Sequence, residues 1–196
     1  MNIVVKTYGG GICCRPDTTW ERENKDFYSP DFIDSYLFTP VLFARICKAG
    51  RCVAGKFASR YYDSIGYGMM LYPGNLMKSA QNGTPSGFAW ASCIDHTSVL
   101  PFPMYNRITL ESKENIFRIS KDGDETYSTS EGSAQLVENA IEEATKYISI
   151  RIGDIIAIEL DTPKELIPAD AHGKKIELSG EFCGNASPCS GTRRAF

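Results

Sequence analysis

The sequence has 196 residues, 42% hydrophobic and 23% charged, a balance that fits a chain folding around a core and excludes collagen, coiled coil and wholesale disorder. Its 21 basic and 24 acidic side chains leave a net charge of −3, without the basic excess typical of nucleic-acid-binding proteins. No stretch nears the roughly 20 apolar residues of a spanning helix, and the start runs into Thr7-Tyr8-Gly9-Gly10-Gly11 without an apolar signal core, so the expected location is the cytoplasm.

Glycine, proline and polar clusters cut the chain into short pieces that read mostly as strands. Residues 1–11 are expected as a flexible start. Residues 41–47 are apolar and partly β-branched, predicting a strand, a tight turn at 48–51 and a returning strand over 52–54. Residues 56–64 read as a short helix. Residues 65–71, which include Gly66 and Gly68, read as a kinked or closely approached strand. Residues 115–121, Asp122-Gly123 and 125–128 carry a hairpin signal, because Asp-Gly adopts the positive φ angles of a two-residue turn. Leu136, Val137, Ala140, Ile141, Ala144, Tyr147 and Ile148 recur at three- and four-residue steps. That spacing predicts a helix over 133–148, capped by Ser133, with its apolar stripe on a sheet. Ile152-Gly153-Asp154 reads as a turn, 155–160 as a buried strand, 174–182 as an alternating strand and 183–196 as an irregular tail. The expected organisation is a single domain over 1–196, α+β and strand-rich.

Seven cysteines, at 13, 14, 47, 52, 93, 183 and 189, are odd in number and irregular in spacing, which reads as reduced thiols; no pair has the two-residue spacer of a zinc site. Cys93 precedes His96 by three residues, but a strand would put the two on opposite faces. Asp95-His96 reads as an acid and imidazole pair or as a surface turn. Arg60 with Tyr61 and Tyr62 reads as a basic aromatic patch or as packing beside one solvated arginine. Gly9-Gly10-Gly11 lacks the Lys-Ser/Thr that completes a phosphate loop.

Several strings recur in a recognisable order: Arg15-Pro16-Asp17-Thr18, Tyr28-Ser29-Pro30-Asp31-Phe32, the strand at 41–46 before Ala49-Gly50-Arg51, the segment 57–65, Lys121-Asp122-Gly123, the helix at 133–148, Ile152-Gly153-Asp154 and Asp161-Thr162-Pro163. Over about residues 12–180 they resemble the C-terminal domain of the fumarylacetoacetate hydrolase family. The resemblance implies a mixed β-sheet roll with one long and one or two short helices. It also implies kinship with metal-dependent hydrolases, isomerases and decarboxylases of 2-oxo acids of the acylpyruvate type.

Members of that family hold Mg²⁺ or Mn²⁺ with a Glu-x-Glu pair on one strand and an Asp on a later one, since a hard cation needs several anionic oxygens. Carried over on the flanking strings, those positions are Thr39, Val41 and Met70, none of which is a carboxylate; with a shifted register, Asp31, Asp34 and Asp63 are the nearest acids. The family's lysine falls at Ser92, Asp95 keeps an aspartate, and Thr162 keeps the threonine of the segment that contacts the substrate carboxylate. The resemblance therefore implies a degenerate pocket of Ser92, Asp95 and Thr162 with no catalytic residue, metal or cofactor. Such a protein would be non-catalytic and bind a small carboxylate or a partner. The alternative is an active metal-dependent enzyme on a 2-oxo acid with a rearranged site. A homodimer, or a heteromer with an intact homologue, is the expected assembly; neither nucleic acid nor membrane is an expected partner.

Overall fold

The computed structural model describes residues 1–23, 25–111, 116–169, 176–182 and 185–186. The chain starts in structure rather than in a loose end. Strand β1 (Asn2–Lys6) pairs antiparallel with β2 (Ile12–Pro16), and Ile3, Val4 and Val5 are buried. Three buried branched side chains, at about 1.5–3 kcal/mol each, offset the entropy of ordering a short strand, and this overturns the flexible start expected for 1–11. The run of glycines is the hairpin turn: Thr7 N–H donates to Gly11 O (2.8 Å), and Gly10 takes a φ of 88°.

A 3-10 turn at Asp17–Thr19 leads to β3 (Trp20–Glu21), and the long strand β4 (Tyr36–Ile46) follows. Its partner is β5 (Tyr62–Pro73), in antiparallel register from Tyr36 opposite Pro73 to Ile46 opposite Tyr62. The return strand predicted at 52–54 does not form. Those residues instead lead into helix α1 (Gly55–Ala58), with Cys52 N–H donating to Thr145 O and Val53 N–H to Thr145 Oγ1, both at 2.9 Å. The helix read over 56–64 stops at Ala58, since Tyr61 O already accepts from Cys47 N–H at the end of the strand pair. Helices α2 (Gly74–Gln81) and α3 (Pro85–Ala91), unforeseen in the sequence, come next.

Strands β6 (Ser98–Val99) and β7 (Tyr105–Asn106) lead to the predicted hairpin, β8 (Phe117–Lys121) and β9 (Asp124–Thr129), with Asp122 at φ 52° and Gly123 at φ 91°. Helix α4 (Ala134–Tyr147) forms where its periodicity places it, and Ser133 Oγ accepts from Leu136 N–H at 3.3 Å. The chain continues through β10 (Ile155–Glu159), β11 (Lys164–Ile167), β12 (Leu178–Phe182) and β13 (Asn185–Ala186). His172, Cys183, Cys189 and most of the expected tail lie outside the described residues.

The larger sheet runs in the order β2-β1-β10-β4-β5-β6-β3, with β11 beside β4 and β7 beside β5; β1–β10 and β3–β6 are parallel and the other pairs antiparallel. Its end strands, β2 and β3, are joined through the 17–19 turn alone. Six strand intervals span about 29 Å in a flat sheet, whereas four residue steps reach at most about 14 Å, so the sheet must curl until its edges meet. The fold is thus α+β, strand-rich and rolled, and among the described residues three short helices, rather than the expected one or two, accompany the long one. Outside the roll, α4 (Val137, Ala140, Ile141, Ala144) and the second sheet, β13-β12-β8-β9, pack against Val4, Leu42, Ala44, Tyr67 and Ile156. Inside it, Ile3, Val5, Val41, Phe43, Met70, Tyr72, Ile155 and Ala157 form a second cluster, covered at one end by Leu76 and Met77 of α2 and Phe88 of α3.

Candidate functional site

Proline inside a central strand removes a ladder donor, so Pro40 needs a local break. That break is where β4 changes partner: β10 pairs with it as far as Val41 opposite Glu159, and β11 takes over at Phe38 opposite Lys164. The intervening loop crosses over the gap, with Leu160 N–H donating to Pro40 O (2.9 Å) and Thr39 Oγ1 to Asp161 O (2.6 Å). Beside this crossing lies a cavity of about 390 Å³. Ile12, Met77, Phe88 and Pro163 give it apolar walls; Tyr72, Cys13, Thr162, Glu159 and the Thr7–Gly11 turn give it polar ones.

Glu159 is the one charged side chain among the described lining residues, and it is 6% exposed. Oε1 accepts from the Tyr72 hydroxyl (2.5 Å) and Oε2 from Tyr8 N–H (3.0 Å). Burial raises its carboxyl above the ordinary value, against the pull of Tyr72, Tyr8 N–H and the Arg15 charge. Burial likewise holds the Tyr72 phenol well above its usual range and pushes the Cys13 thiol up to about 11, so Cys13 is a protonated thiol rather than a nucleophile at neutral pH.

Behind Tyr72 sits Arg15, 1% exposed, its guanidinium carbon 4.6 Å from the ring centroid. Its Nη atoms donate to Leu71 O and Ser98 Oγ (both 2.9 Å) and to Thr97 O (3.2 Å), and Nη1 lies 3.4 Å from Met70 Sδ. Arg15 thus reaches across the inside of the roll from the edge strand β2 to β5 and β6.

The three positions to which the resemblance gives the metal come together: Thr39 is opposite Met70 in register, and Val41 lies two residues along the same face. They do not fit a hard cation. Val41 and Met70 are fully buried apolar side chains, and the Thr39 hydroxyl is committed to Asp161 O. Among the described residues, no three His, Cys, Asp or Glu side chains gather as a metal set. The acids nearest under a shifted register are placed elsewhere. Asp63 pairs with Arg45 (3.1 Å), Asp34 accepts from Ser35 Oγ (2.6 Å), and Asp31 is exposed in a turn.

Of the three expected pocket residues, Thr162 lines the cavity, with its hydroxyl turned to Asp161 Oδ1 (3.3 Å). Ser92 is buried at the end of α3 and donates to Phe88 O (2.9 Å); Asp95 is exposed in the turn after it, and neither lines the cavity. His96 in that turn faces Glu21 (3.2 Å). Glu159, Tyr72, Tyr8 and Arg15 went unforeseen. Glu159 did carry a signal, as an acid closing the otherwise apolar run Ile155-Ile156-Ala157-Ile158. Arg15 showed only as the first residue of the string Arg15-Pro16-Asp17-Thr18, and Tyr72 and Tyr8 showed none.

Neither protein-family models nor curated proteins match the sequence. Solved structures do match. Fumarylpyruvate hydrolase from Pseudomonas aeruginosa, in complex with Mn²⁺ and pyruvate, superimposes with a TM-score of 0.78 at 14% identity, covering 100% of this chain and 89% of that one. A Yersinia pestis CO92 protein described as a fumarylacetoacetate hydrolase family member gives 0.79 at 12% identity, covering 100% and 92%. For 5-carboxymethyl-2-hydroxymuconate delta-isomerase from Mycobacterium smegmatis the values are 0.75 and 13%, with 99% and 76% covered. The chain therefore has the fold of the fumarylacetoacetate hydrolase family.

Proposed function

We propose that the chain is a non-catalytic small-molecule-binding protein on this fold, with the cavity at Glu159 as its site and no divalent metal at Thr39, Val41 and Met70. The observation that carries the reading is the side-chain set there: one committed hydroxyl, two buried apolar groups and a fixed guanidinium against Met70. A divalent cation at that point would meet the Arg15 charge with no carboxylate from the three positions to offset it.

A second reading is an enzyme acting on a 2-oxo acid through a rearranged site. It is supported by the neighbours, which are hydrolases and isomerases by name, and by the presence of one buried acid in the cavity. Calorimetric titration of the chelator-treated protein with Mn²⁺, with and without oxalate, separates the two. No saturable heat in either titration is the expected result. Binding near one metal per chain, tightened by oxalate, overturns the first reading in favour of the second, as does turnover of an acylpyruvate.

A further inference from the structure

We infer that the cavity selects an uncharged molecule carrying one hydroxyl-type donor, an alcohol, phenol or enol with an apolar body, and rejects anions and cations alike; this rests on reading the cavity as the binding site. The ground is a balance of two buried charges. Arg15 is 1% exposed, its described partners are neutral acceptors, and among the described residues no carboxylate stands at ion-pair distance from it. Its charge is answered at longer range through one aromatic ring. The guanidinium lies 4.6 Å from the Tyr72 centroid, and the Tyr72 hydroxyl is 2.5 Å from Glu159 Oε1. Cation, ring, hydroxyl and carboxylate form one series with no net charge.

A charged ligand breaks that balance in either direction. A carboxylate in the cavity faces Glu159 as a like charge, and an ammonium adds to the Arg15 charge behind the wall; each leaves an unbalanced charge beside two buried ones. A neutral donor does neither. A carboxylate offers about four acceptor positions, and Glu159 has given two, one to Tyr72 and one to Tyr8 N–H. The remaining positions suit a ligand O–H, while Ile12, Met77 and Phe88 suit an apolar ring or short chain. The small carboxylate implied by the resemblance is disfavoured on the same ground.

The test is calorimetric binding of p-cresol, benzoate and benzylamine at pH 7 to the full chain and to its Glu159→Gln and Arg15→Met variants. The wild type is expected to bind p-cresol at least about tenfold more tightly than either ion. Glu159→Gln leaves Arg15 unbalanced, so benzoate gains most. Arg15→Met leaves Glu159 unbalanced, so benzylamine gains most. Opposite shifts are a signature that loose packing would not produce. Equal or tighter binding of either ion by the wild type, or shifts in the same direction, overturns the inference and leaves the cavity reading standing. No binding of any probe to any of the three proteins removes the cavity reading as well. Should Arg15→Met fail to fold by circular dichroism, the isosteric Glu159→Gln variant decides: unchanged benzoate affinity there overturns the inference.

Discussion

The Tyr72 hydroxyl donates a 2.5 Å hydrogen bond to Glu159 and so links β5 to β10 across the strand between them. On that strand Glu159 stands opposite Val41 and Tyr72 opposite Leu37, which places Thr39 between the two on the same face. An acid and a phenol therefore meet over the position where the family resemblance places a metal ligand. The acid and the phenol stand on β10 and β5, the two neighbours of β4.

The raised carboxyl of Glu159 sets a pH dependence. Between its ordinary value near 4.5 and the raised value, the folded protein holds a proton that the unfolded chain has released. Its contribution to stability is thus fully present below 4.5 and is lost as pH rises through the folded value. Asp161, lowered by Lys164 from 3.8, acts with the opposite sign: its contribution is present above that value and is lost as pH falls. In Glu159→Gln the first dependence disappears. The melting temperature of the variant minus that of the wild type should grow from pH 4.5 to pH 8, by thermal denaturation in matched buffers. A difference that stays flat with pH contradicts the raised carboxyl.

Acids placed at two of the positions to which the resemblance gives the metal should behave differently. Met70→Asp places a carboxylate where Sδ now lies 3.4 Å from Arg15 Nη1, so the new charge meets a counter-charge and the protein folds. Val41→Glu places one opposite Glu159, among buried apolar side chains, and should cost about 3 kcal/mol or more. Urea denaturation of both variants gives the comparison. Equal losses would mean that Arg15 does not act as a counter-charge there.

Ser133→Ala removes the oxygen that accepts Leu136 N–H at the start of α4, and a loss of about 1 kcal/mol is expected in urea denaturation. Ser133→Asp should restore most of it, since its carboxylate both caps and faces the positive helix end.

Gly68 permits a close approach. A Cβ built there would lie 2.1 Å from Val99 O, a backbone atom that cannot move without opening the β5–β6 pairing. Gly68→Ala should cost about 2–3 kcal/mol by overpacking, whereas Gly9→Ala, which meets nothing within 4 Å, should cost little.

These positions also show what was legible in the sequence. Helix α4 and the β8–β9 hairpin announce themselves through local pattern, a stripe at helical spacing and an Asp-Gly turn. Strand β1 was obscured by the glycines after it, which form a turn rather than a tether. Helices α2 and α3 are only eight and seven residues long, too short to show a helical period, and they are held by covering Met70 and Tyr72 rather than by propensity. At the site, Thr39, Val41 and Met70 do share one face, as the order of the strings implied. Ser92 and Asp95 do not line the cavity: Ser92 closes α3 with its hydroxyl on Phe88 O, and Asp95 lies in the exposed turn beyond it. The Glu159 site joins residues 87 and 151 positions apart in sequence, Tyr72 and Tyr8, and nothing local to either points to the other.

The most direct test of a cavity built on Glu159 and Tyr72 without a divalent metal is anomalous diffraction at the manganese edge from crystals soaked in Mn²⁺ and oxalate. The account predicts no peak within coordination distance of Glu159, Thr39 or Met70, with the Arg15 guanidinium in place against Met70. A manganese ion ligated by Glu159, with oxalate completing its shell, would contradict it.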